Sequence, residues 1–236
     1  MKARGLLAAL WFAPAVSAAA GAGLPDFTAR YTVAKAELDV ISTTITLRRG
    51  ARIDYRAESE PVGLAAWFFG DHRIHELSVL KQIENQVIPL AYRYVHEGSE
   101  ENRNEHYQYD WTRNVADVYS RGQQRTLKIP DGTLDNSSLQ LALIQDARKR
   151  AKTYRYPVIS RGELKTYVFR NLGTETVESE LGRFETVKLE RRKNDEENTT
   201  YTAWYAPKLS FLPVKVENRE EGDLVLSLVL QAVEWQ

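Results

Sequence analysis

The sequence predicts a mainly β protein, built as a strongly curved antiparallel sheet or incomplete β-barrel with one main α-helix packed against it. Three features indicate this fold. Many short segments alternate apolar and polar residues, which is the period of a β-strand. Turn-forming residues separate these segments, and one segment alone carries apolar residues at helical spacing. The stretch from Gly182 to Asn218 shows the β pattern most clearly, because two alternating segments flank a charged turn and a Leu-Pro pair precedes a third.

The first half of the chain reads as a series of antiparallel strands, of which the first three are expected to form a meander. In the segment from Ala51 to Ser59, Ile53 and Tyr55 point to one face while charged residues point to the other. Pro89 lacks a backbone N–H, so we expect it at a sheet edge or at a bulge. The predicted strands of this half are Phe27–Ala36, Leu38–Arg48, Ala51–Ser59, His72–Lys81, Gln86–His96, His106–Thr112, Val115–Ser120 and Gln124–Ile129.

The segment from Pro61 to Gly70 interrupts this pattern and is almost wholly apolar. Trp67, Phe68 and Phe69 are consecutive, so they cannot all face one side of a strand. We therefore expect a short helix, or a loop packed over one end of the sheet. It would be either a lid or partner-facing patch, or a core plug that closes an open end. The plug is favoured, because large exposed apolar patches are rare in soluble monomers.

One helix is predicted between two groups of strands. Ser137 is the expected N-cap, with Gln140 three residues later in the spacing of a capping box. The positive charges of the basic residues from Arg148 to Arg150 interact favourably with the negative, C-terminal end of the helix dipole. The apolar stripe consists of Leu139, Ala142, Leu143 and Ala147. We expect this helix to lie against the concave side of the sheet.

The second half returns to strands. Its last segment, Leu224–Trp235, is apolar on both faces, which predicts a central strand covered on both sides. The predicted strands of this half are Tyr154–Ser160, Leu164–Asn171, Glu175–Leu181, Phe184–Arg191, Thr200–Ala206, Val214–Asn218 and Leu224–Trp235.

The N-terminus has the pattern of a signal peptide. The basic residues Lys2 and Arg4 precede a short apolar run that ends in small residues. We therefore expect residues 1–20 to be a cleaved signal peptide and residues 21–236 to form a single antiparallel β domain, with no integral membrane segment after cleavage. The sequence contains no cysteine, which excludes the anchor of a lipoprotein and any thiol or cysteine-metal site. These features predict an exported, soluble protein of the periplasm that is not a lipoprotein.

The sequence contains no recognisable catalytic or metal-binding motif. Neither a Gly-x-Ser-x-Gly elbow nor a phosphate-binding loop occurs. His72 and His75 are three residues apart on a predicted strand and should face opposite ways, so a metal site would need His96 or His106 from other strands. Basic and acidic residues balance at 32 each, which argues against binding to nucleic acid. We predict no catalytic residue, no metal and no cofactor, and disfavour an enzyme.

Aromatic residues recur along the predicted strands and provide the candidate binding residues. Such rings can line a concave pocket, or they can fill the core, which is the commoner role of aromatic residues in strands. The candidates for contact with a ligand or partner are Trp67, Phe68, Phe69, Tyr92, Tyr94, Tyr109, Trp111 and Trp204.

Several local motifs also resemble those of a known family. They are Phe27–Tyr31, Pro89–Tyr92, Asp135–Ser138, Gly182–Leu189, Thr202–Ala206 and Leu212–Val214. On these motifs, which are spread over nearly all of the mature chain, the sequence resembles the exported bacterial family catalogued as domain of unknown function 3108 (DUF3108). The resemblance implies a β protein of the periplasm or cell envelope with no assigned activity, and it transfers no catalytic residues.

Three functions remain open at this stage. The leading hypothesis is a non-catalytic periplasmic binding or carrier protein for a hydrophobic or amphipathic ligand of the cell envelope, such as a lipid. The alternative is a structural or assembly module that binds another envelope protein through a sheet edge or through the patch around Trp67. A third and less favoured hypothesis is a hydrolase of envelope glycans, which would need carboxylates or histidines that converge in a cleft.

Overall fold

The computed structural model describes residues 24–84, 86–98, 103–192 and 198–236, and the expected signal peptide at residues 1–20 lies outside this part of the chain. The described residues form fourteen strands and two α-helices, together with a short 3-10 turn at Pro207–Leu209. In chain order the elements are β1 (Phe27–Lys35), β2 (Leu38–Arg49), β3 (Ile53–Pro61), α1 (Ala65–Phe69), β4 (Arg73–Ile83), β5 (Gln86–Glu97), β6 (Asn104–Asp110), β7 (Val115–Ser120), β8 (Gln123–Lys128), α2 (Asn136–Ala147), β9 (Thr153–Ser160), β10 (Glu163–Ser179), β11 (Gly182–Arg192), β12 (Thr199–Ala206), β13 (Leu212–Glu220) and β14 (Asp223–Trp235).

The fourteen strands form one antiparallel sheet in the order β8-β7-β6-β5-β4-β3-β2-β1-β14-β13-β12-β11-β10-β9. The first and last strands of the chain therefore pair with each other near the middle of the sheet, with Phe27 opposite Trp235. Within the described residues the edge strands β8 and β9 are not hydrogen-bonded to each other, so the sheet is not closed. The predicted antiparallel sheet with one main helix is confirmed, as is the meander of the first three strands.

Two irregularities of the strands have local causes. At Pro89 the pairing of β4 with β5 shifts register between Val79 and Leu80, which confirms the predicted bulge. The predicted strands Leu164–Asn171 and Glu175–Leu181 are instead one strand, β10. The turn expected between them is a bulge within β10, where the pairing with β11 skips from Asn171 to Thr174 and Gly173 has a φ of 94°. Glycine signals a bulge as readily as a turn, because both can require a positive φ.

The N-cap of the main helix, α2, lies two residues earlier than predicted. Asp135 is the N-cap: its Oδ1 accepts from the backbone N–H of Ser138 at 2.8 Å. The Ser138 hydroxyl in return accepts from the backbone N–H of Asp135 at 2.8 Å. This reciprocal pair is a capping box in which serine takes the place of the usual glutamate or glutamine. The prediction of Ser137 as N-cap with Gln140 is wrong.

Helix α2 packs against β3, β4 and β5 from one half of the sheet and against the edge strand β9 from the other. A helix can contact both halves of one curved sheet only from its concave side, so the predicted placement is confirmed. Its buried side chains Leu139, Leu143 and Ile144 join a core that includes Phe27 and Tyr31 of β1. The concave side around α2 is therefore filled.

The segment before α2 covers part of the free edge of β9. The backbone N–H of Leu134 donates to the Pro157 carbonyl at 2.9 Å, and the Ile159 N–H donates to the Leu134 carbonyl at 2.8 Å. Leu134 thereby forms a parallel bridge with Val158. A free strand edge exposes unpaired backbone groups, and this segment satisfies two of them.

Candidate functional site

The inner face of the sheet changes from filled to open along β14. Leu226, Leu228 and Leu230 alternate along this strand and share the face that Tyr31 of β1 also occupies. Leu230 is fully buried, whereas Leu228 and Leu226 are partly exposed. Exposure therefore rises toward one rim of the sheet. The prediction that this strand is covered on both sides is wrong: β14 is central in the sheet, but Leu230 is its one buried residue.

Neighbouring strands show the same trend toward the same rim. On β1 the ring of Tyr31 is buried whereas Val33 is partly exposed, and Val33 pairs with the partly exposed Ile41 of β2. On β4 the inward residue Ile74 is also partly exposed. We call the inner surface formed by Val33, Ile41, Ile74 and Leu226 the mouth. These apolar side chains face the inside of a sheet and yet remain accessible to solvent.

Helix α1 lies at this rim, between the end of β3 and the start of β4. The segment from Pro61 to Gly70 therefore does contain the expected short helix. None of its residues is buried: Leu64 is 71% exposed, Trp67 87%, Phe68 79% and Phe69 53%. The core plug is therefore wrong, and the segment is an exposed apolar patch.

A pair of histidines connects α1 to the inner face. His72 Nδ1 lies 3.2 Å from His96 Nε2, and the His72 ring meets the Phe69 ring edge-on at 5.5 Å between centroids. Burial lowers the pKa of His96, and His72 and Arg103 lower it further. His75 points elsewhere, toward Glu58. No group of three or more potential metal ligands occurs in the part of the chain that the structure describes.

Below the mouth the inner face becomes polar. Glu105 of β6 is 1% exposed and accepts from Arg103, with 2.6 Å between Arg103 Nη2 and Glu105 Oε1. The Tyr107 hydroxyl donates to the other carboxylate oxygen of Glu105, and the Gly162 N–H donates to that hydroxyl at 3.2 Å. The Arg103 guanidinium also lies over the Tyr94 ring, 4.5 Å from its centroid. Glu105 is thus a fully paired buried charge.

Two further carboxylates lie near this pair. Glu76 of β4 accepts from the Tyr92 hydroxyl at 2.8 Å, and burial raises its pKa above the usual range. Asp135 accepts from the Ser78 hydroxyl at 2.8 Å as well as from Ser138. Burial raises the pKa of Asp135 to about 7, although these hydrogen bonds oppose the shift. We call Glu76, Glu105, Arg103 and Asp135 the polar base of the mouth.

The polar base has unused hydrogen-bonding capacity. The hydroxyl of Ser137 lies within reach of the Glu76 carboxylate, and Ser120 pairs with Glu105 across β6 and β7. The hydroxyl oxygen of Ser120 is buried and lacks a hydrogen-bond partner within residues 24–84, 86–98, 103–192 and 198–236.

Access decides what these carboxylates can do chemically. A hydrolase needs a pair of carboxylates that both reach the substrate. Asp135 is fully buried and caps α2, and Glu105 is buried and held by Arg103 and Tyr107. Of the three, Glu76 alone keeps partial exposure. The arrangement therefore suits polar recognition at the bottom of the mouth better than acid–base catalysis.

The predicted aromatic candidates do not form a single cluster. Tyr92 and Tyr94 lie at the polar base, where the Tyr92 ring stacks on Tyr107 at 4.9 Å. Trp67, Phe68 and Phe69 lie on α1 at the rim. Tyr109 and Trp111 stack on each other at 5.6 Å, and Trp111 donates to the Pro89 carbonyl. Trp204 lies in the other half of the sheet, with Lys188 and Lys215 over its ring.

The acidic residues of the polar base were missed by the sequence interpretation, although the sequence contains a signal for them. Glu105 is in phase with Tyr107 and Tyr109, and Glu76 is in phase with Leu80, so both carboxylates fall on the apolar face of their strands. A charged residue at an inward position is costly to bury unless it is paired. That placement is what marks these residues as candidates.

A cleft of about 560 Å³ lies at the opposite end of the molecule, between α2, β9 and the β4–β5 hairpin. Its walls include Val87, Ile88, Trp111 and Tyr156, with charged side chains such as Lys149 around them. The filled core around α2 separates this cleft from the mouth.

Comparison with known proteins gives a family and a fold. The family model described as "Protein of unknown function (DUF3108)" matches residues 26–229. A β-barrel-like protein from Brucella abortus with the domain of unknown function DUF1849 has a similar structure, with a TM-score of 0.55 at 9% identity over 91% of this chain and 99% of that chain. No curated protein matches the sequence.

Two other solved structures resemble the chain more weakly. One is a candidate lipoprotein from Parabacteroides distasonis, with a TM-score of 0.38 and 9% identity over 89% of this chain and 95% of that one. The other is described as an exported protein with a YmcC-like fold from Bacteroides fragilis, with a TM-score of 0.37 and 10% identity over 90% and 97%. Among the described residues, no helix is both long and apolar enough to cross a lipid bilayer.

Proposed function

Because the chain belongs to the DUF3108 family of proteins of unknown function, its role has to be inferred from its own residues, and we propose that it is a non-catalytic carrier. Its ligand would be a hydrophobic or amphipathic molecule of the cell envelope, bound in the mouth. The observation that carries this proposal is the rise in exposure along the inner face of β14, from the buried Leu230 to the partly exposed Leu228 and Leu226. A solid core would bury all of these inward side chains.

The apolar wall of the mouth supports an apolar ligand. Val33, Ile41, Ile74 and Leu226 face inward and remain partly exposed. A ligand that covers them removes apolar surface from water on both partners, at roughly 0.8 kcal/mol for each buried methylene group. Ligand sites of this kind are concave and mostly apolar, with a few polar groups that fix the orientation.

The polar base would orient the ligand. Glu76 is partly exposed below Ile74 on the same strand, and the Arg103 side chain is 29% exposed. Together with the Tyr94 ring, they offer an acceptor, a donor and a stacking surface to a polar group. We therefore expect the ligand to place its polar group inward and its apolar part toward the rim.

The proposed location is the periplasm. The signal-like pattern of residues 1–20 and the absence of cysteine support an exported protein without a lipid anchor. Residues 21–236 would then form the carrier as a single β domain.

The uncharged fluorescent probe N-phenylnaphthylamine tests the mouth. We expect the protein to bind it with an increase in probe fluorescence, and Leu226→Glu to weaken the affinity at least about tenfold, because the new carboxylate would have to be desolvated by the apolar probe. The measurement is a fluorescence titration at neutral pH.

The matched control is Leu181→Glu, an equally polar change at a side chain that is 39% exposed and lies in the β10–β11 turn at the opposite rim. This variant should bind the probe as the unmodified protein does. Thermal unfolding checks that both variants are folded. Equal affinity of the two variants, or absence of binding to the unmodified protein, would contradict the proposal.

A further inference from the structure

We propose that α1 is a membrane-docking element that immerses its apolar side chains in the surface of a phospholipid bilayer. Four large apolar residues of this segment, Leu64, Trp67, Phe68 and Phe69, are between 53% and 87% exposed. The proposal concerns the outer surface of the protein at the rim. It does not require that the mouth binds a ligand.

The distribution of these side chains around α1 favours a lipid bilayer over a groove of a protein as the binding partner. Successive residues of a helix are about 100° apart, so Trp67, Phe68 and Phe69 together with Leu64 cover about 200° of the circumference. A helix that docks in a protein groove presents a narrower stripe, with apolar residues at positions i, i+3, i+4 and i+7. No residue of α1 is buried against its own sheet. Apolar exposure on most sides suits immersion in a lipid phase, which can surround the helix.

The position and composition of α1 also suit a bilayer surface. The helix is anchored at the rim by the Val62 N–H, which donates to the Val40 carbonyl at 3.0 Å, and by the contact of Phe69 with His72. Tryptophan is enriched at the interface between membrane and water. A five-residue helix is about 7.5 Å long, and interfacial helices bury their apolar side chains about 5–10 Å deep. The element therefore has the size for docking and is far too short to span.

The charges around α1 indicate that docking is apolar and does not depend on anionic lipid. Arg73 donates to the carbonyl oxygens of Gly70 and His72 and lies 3.6 Å from Glu60. Asp71 adds a negative charge directly after the helix. A surface of this kind provides no basic cluster for phosphate-rich membranes. We expect binding to neutral phosphatidylcholine vesicles that is insensitive to salt.

Docking through α1 would turn the rim, and with it the mouth, toward the membrane. Leu38 and Leu224 are exposed on the same rim, at the turns that join β1 to β2 and β13 to β14. If the mouth carries an apolar ligand as proposed above, this orientation lets the ligand leave or enter the bilayer without crossing bulk water.

The test is flotation of the protein with phosphatidylcholine vesicles, combined with quenching of tryptophan fluorescence by brominated phosphatidylcholine. The unmodified protein should float with the vesicles, and Trp67→Ser with Phe68→Ser should lower the bound fraction at least tenfold. The control pair, Ile83→Ser with Leu181→Ser, removes two exposed apolar side chains from the opposite rim. It should bind vesicles as the unmodified protein does, and Trp67→Phe should lose most of the bromine-dependent quenching.

Several results would overturn the proposal. One is that the two double variants float equally well with the vesicles. Another is that binding requires anionic lipid and disappears in high salt. The third is that the protein sediments as a dimer and that Trp67→Ser with Phe68→Ser abolishes this dimer. A crosslink from α1 to one specific envelope protein in cells, without vesicle binding, would assign the patch to a protein partner. The α1 variant should still bind N-phenylnaphthylamine, so failure of docking and failure of the carrier function can be told apart.

Discussion

The protein is expected to lose about 2–3 kcal/mol of its free energy of unfolding between about pH 5 and about pH 7, and little more above that range. Asp135 is the main cause, because burial raises its pKa to about 7 in the folded protein. An unfolded aspartate has a pKa of about 3.9, so at pH 5 the folded state alone holds this proton. Stability falls with pH wherever the folded state binds more protons, at about 1.4 kcal/mol per pH unit. The raised pKa of Glu76 acts in the same direction, and the lowered pKa of His96 acts in the opposite one.

Urea unfolding at a series of pH values measures this loss. Asp135→Asn should remove most of the pH dependence, since an asparagine can still accept from the Ser138 N–H and cap α2. Asp117→Asn changes an exposed carboxylate that bonds to Thr126, and it should retain the slope of the unmodified protein. The control keeps all four histidines, so their titration is common to every curve. A slope that Asp135→Asn leaves intact would show that this buried carboxyl does not hold its proton.

The second large effect is expected along β14. Leu230→Ala should cost about 2–5 kcal/mol of unfolding free energy, because it leaves a cavity in a fully packed part of the inner face. Leu226→Ala, on the same face of the same strand, should cost clearly less because its side chain is already partly exposed. The two variants differ in position alone and remove the same atoms.

Denaturant unfolding of both variants tests whether the interior is filled at one end and open at the other. Leu228→Ala, between the two on the same face, should also cost less than Leu230→Ala, since this side chain is partly exposed. Three equal and large losses would mean that the whole inner face is packed, which would remove the structural basis of the carrier proposal.

The strands were predictable because period-two alternation needs no information beyond a few neighbouring residues. In β6 the buried residues Glu105, Tyr107 and Tyr109 alternate with exposed ones, as the sequence indicated for its aromatic residues. The start of α2 depended on more distant contacts. Ser137 with Gln140 and Asp135 with Ser138 both have the spacing of a capping box. The Ser78 hydroxyl of β4, which bonds to Asp135 from 57 positions away, adds a partner that local spacing cannot reveal.

Burial was harder to predict than secondary structure. The segment around Trp67 was expected to be helical or looped, and it is a helix, but its exposure depends on whether another element covers it. The same holds for β14, whose two apolar faces suggested cover on both sides. Apolar character gives the preference of a residue for burial, whereas the arrangement of the sheet decides whether that preference is met.

Some residues of the candidate site could be predicted from their own strand, whereas others could be found only from the alignment of neighbouring strands. The inward phase of Glu76 and Glu105 can be read from their own strands. The pairing of His72 with His96 depends on how β4 and β5 align, and neither strand encodes that alignment by itself. The resemblance to DUF3108 led to the family but carried no site residues, because the matching motifs are structural.

The most direct test of the carrier proposal is methyl NMR during titration with N-phenylnaphthylamine, because it locates the probe among the hollows of the molecule. We expect the methyl resonances of Val33, Ile41, Ile74 and Leu226 to shift as the probe binds, while those of Leu143 and Leu230 in the filled core stay in place. Shifts confined to Val87 and Ile88 would place the probe in the cleft beside α2. That result, or the absence of any shift, would contradict the claim that the mouth is the binding site.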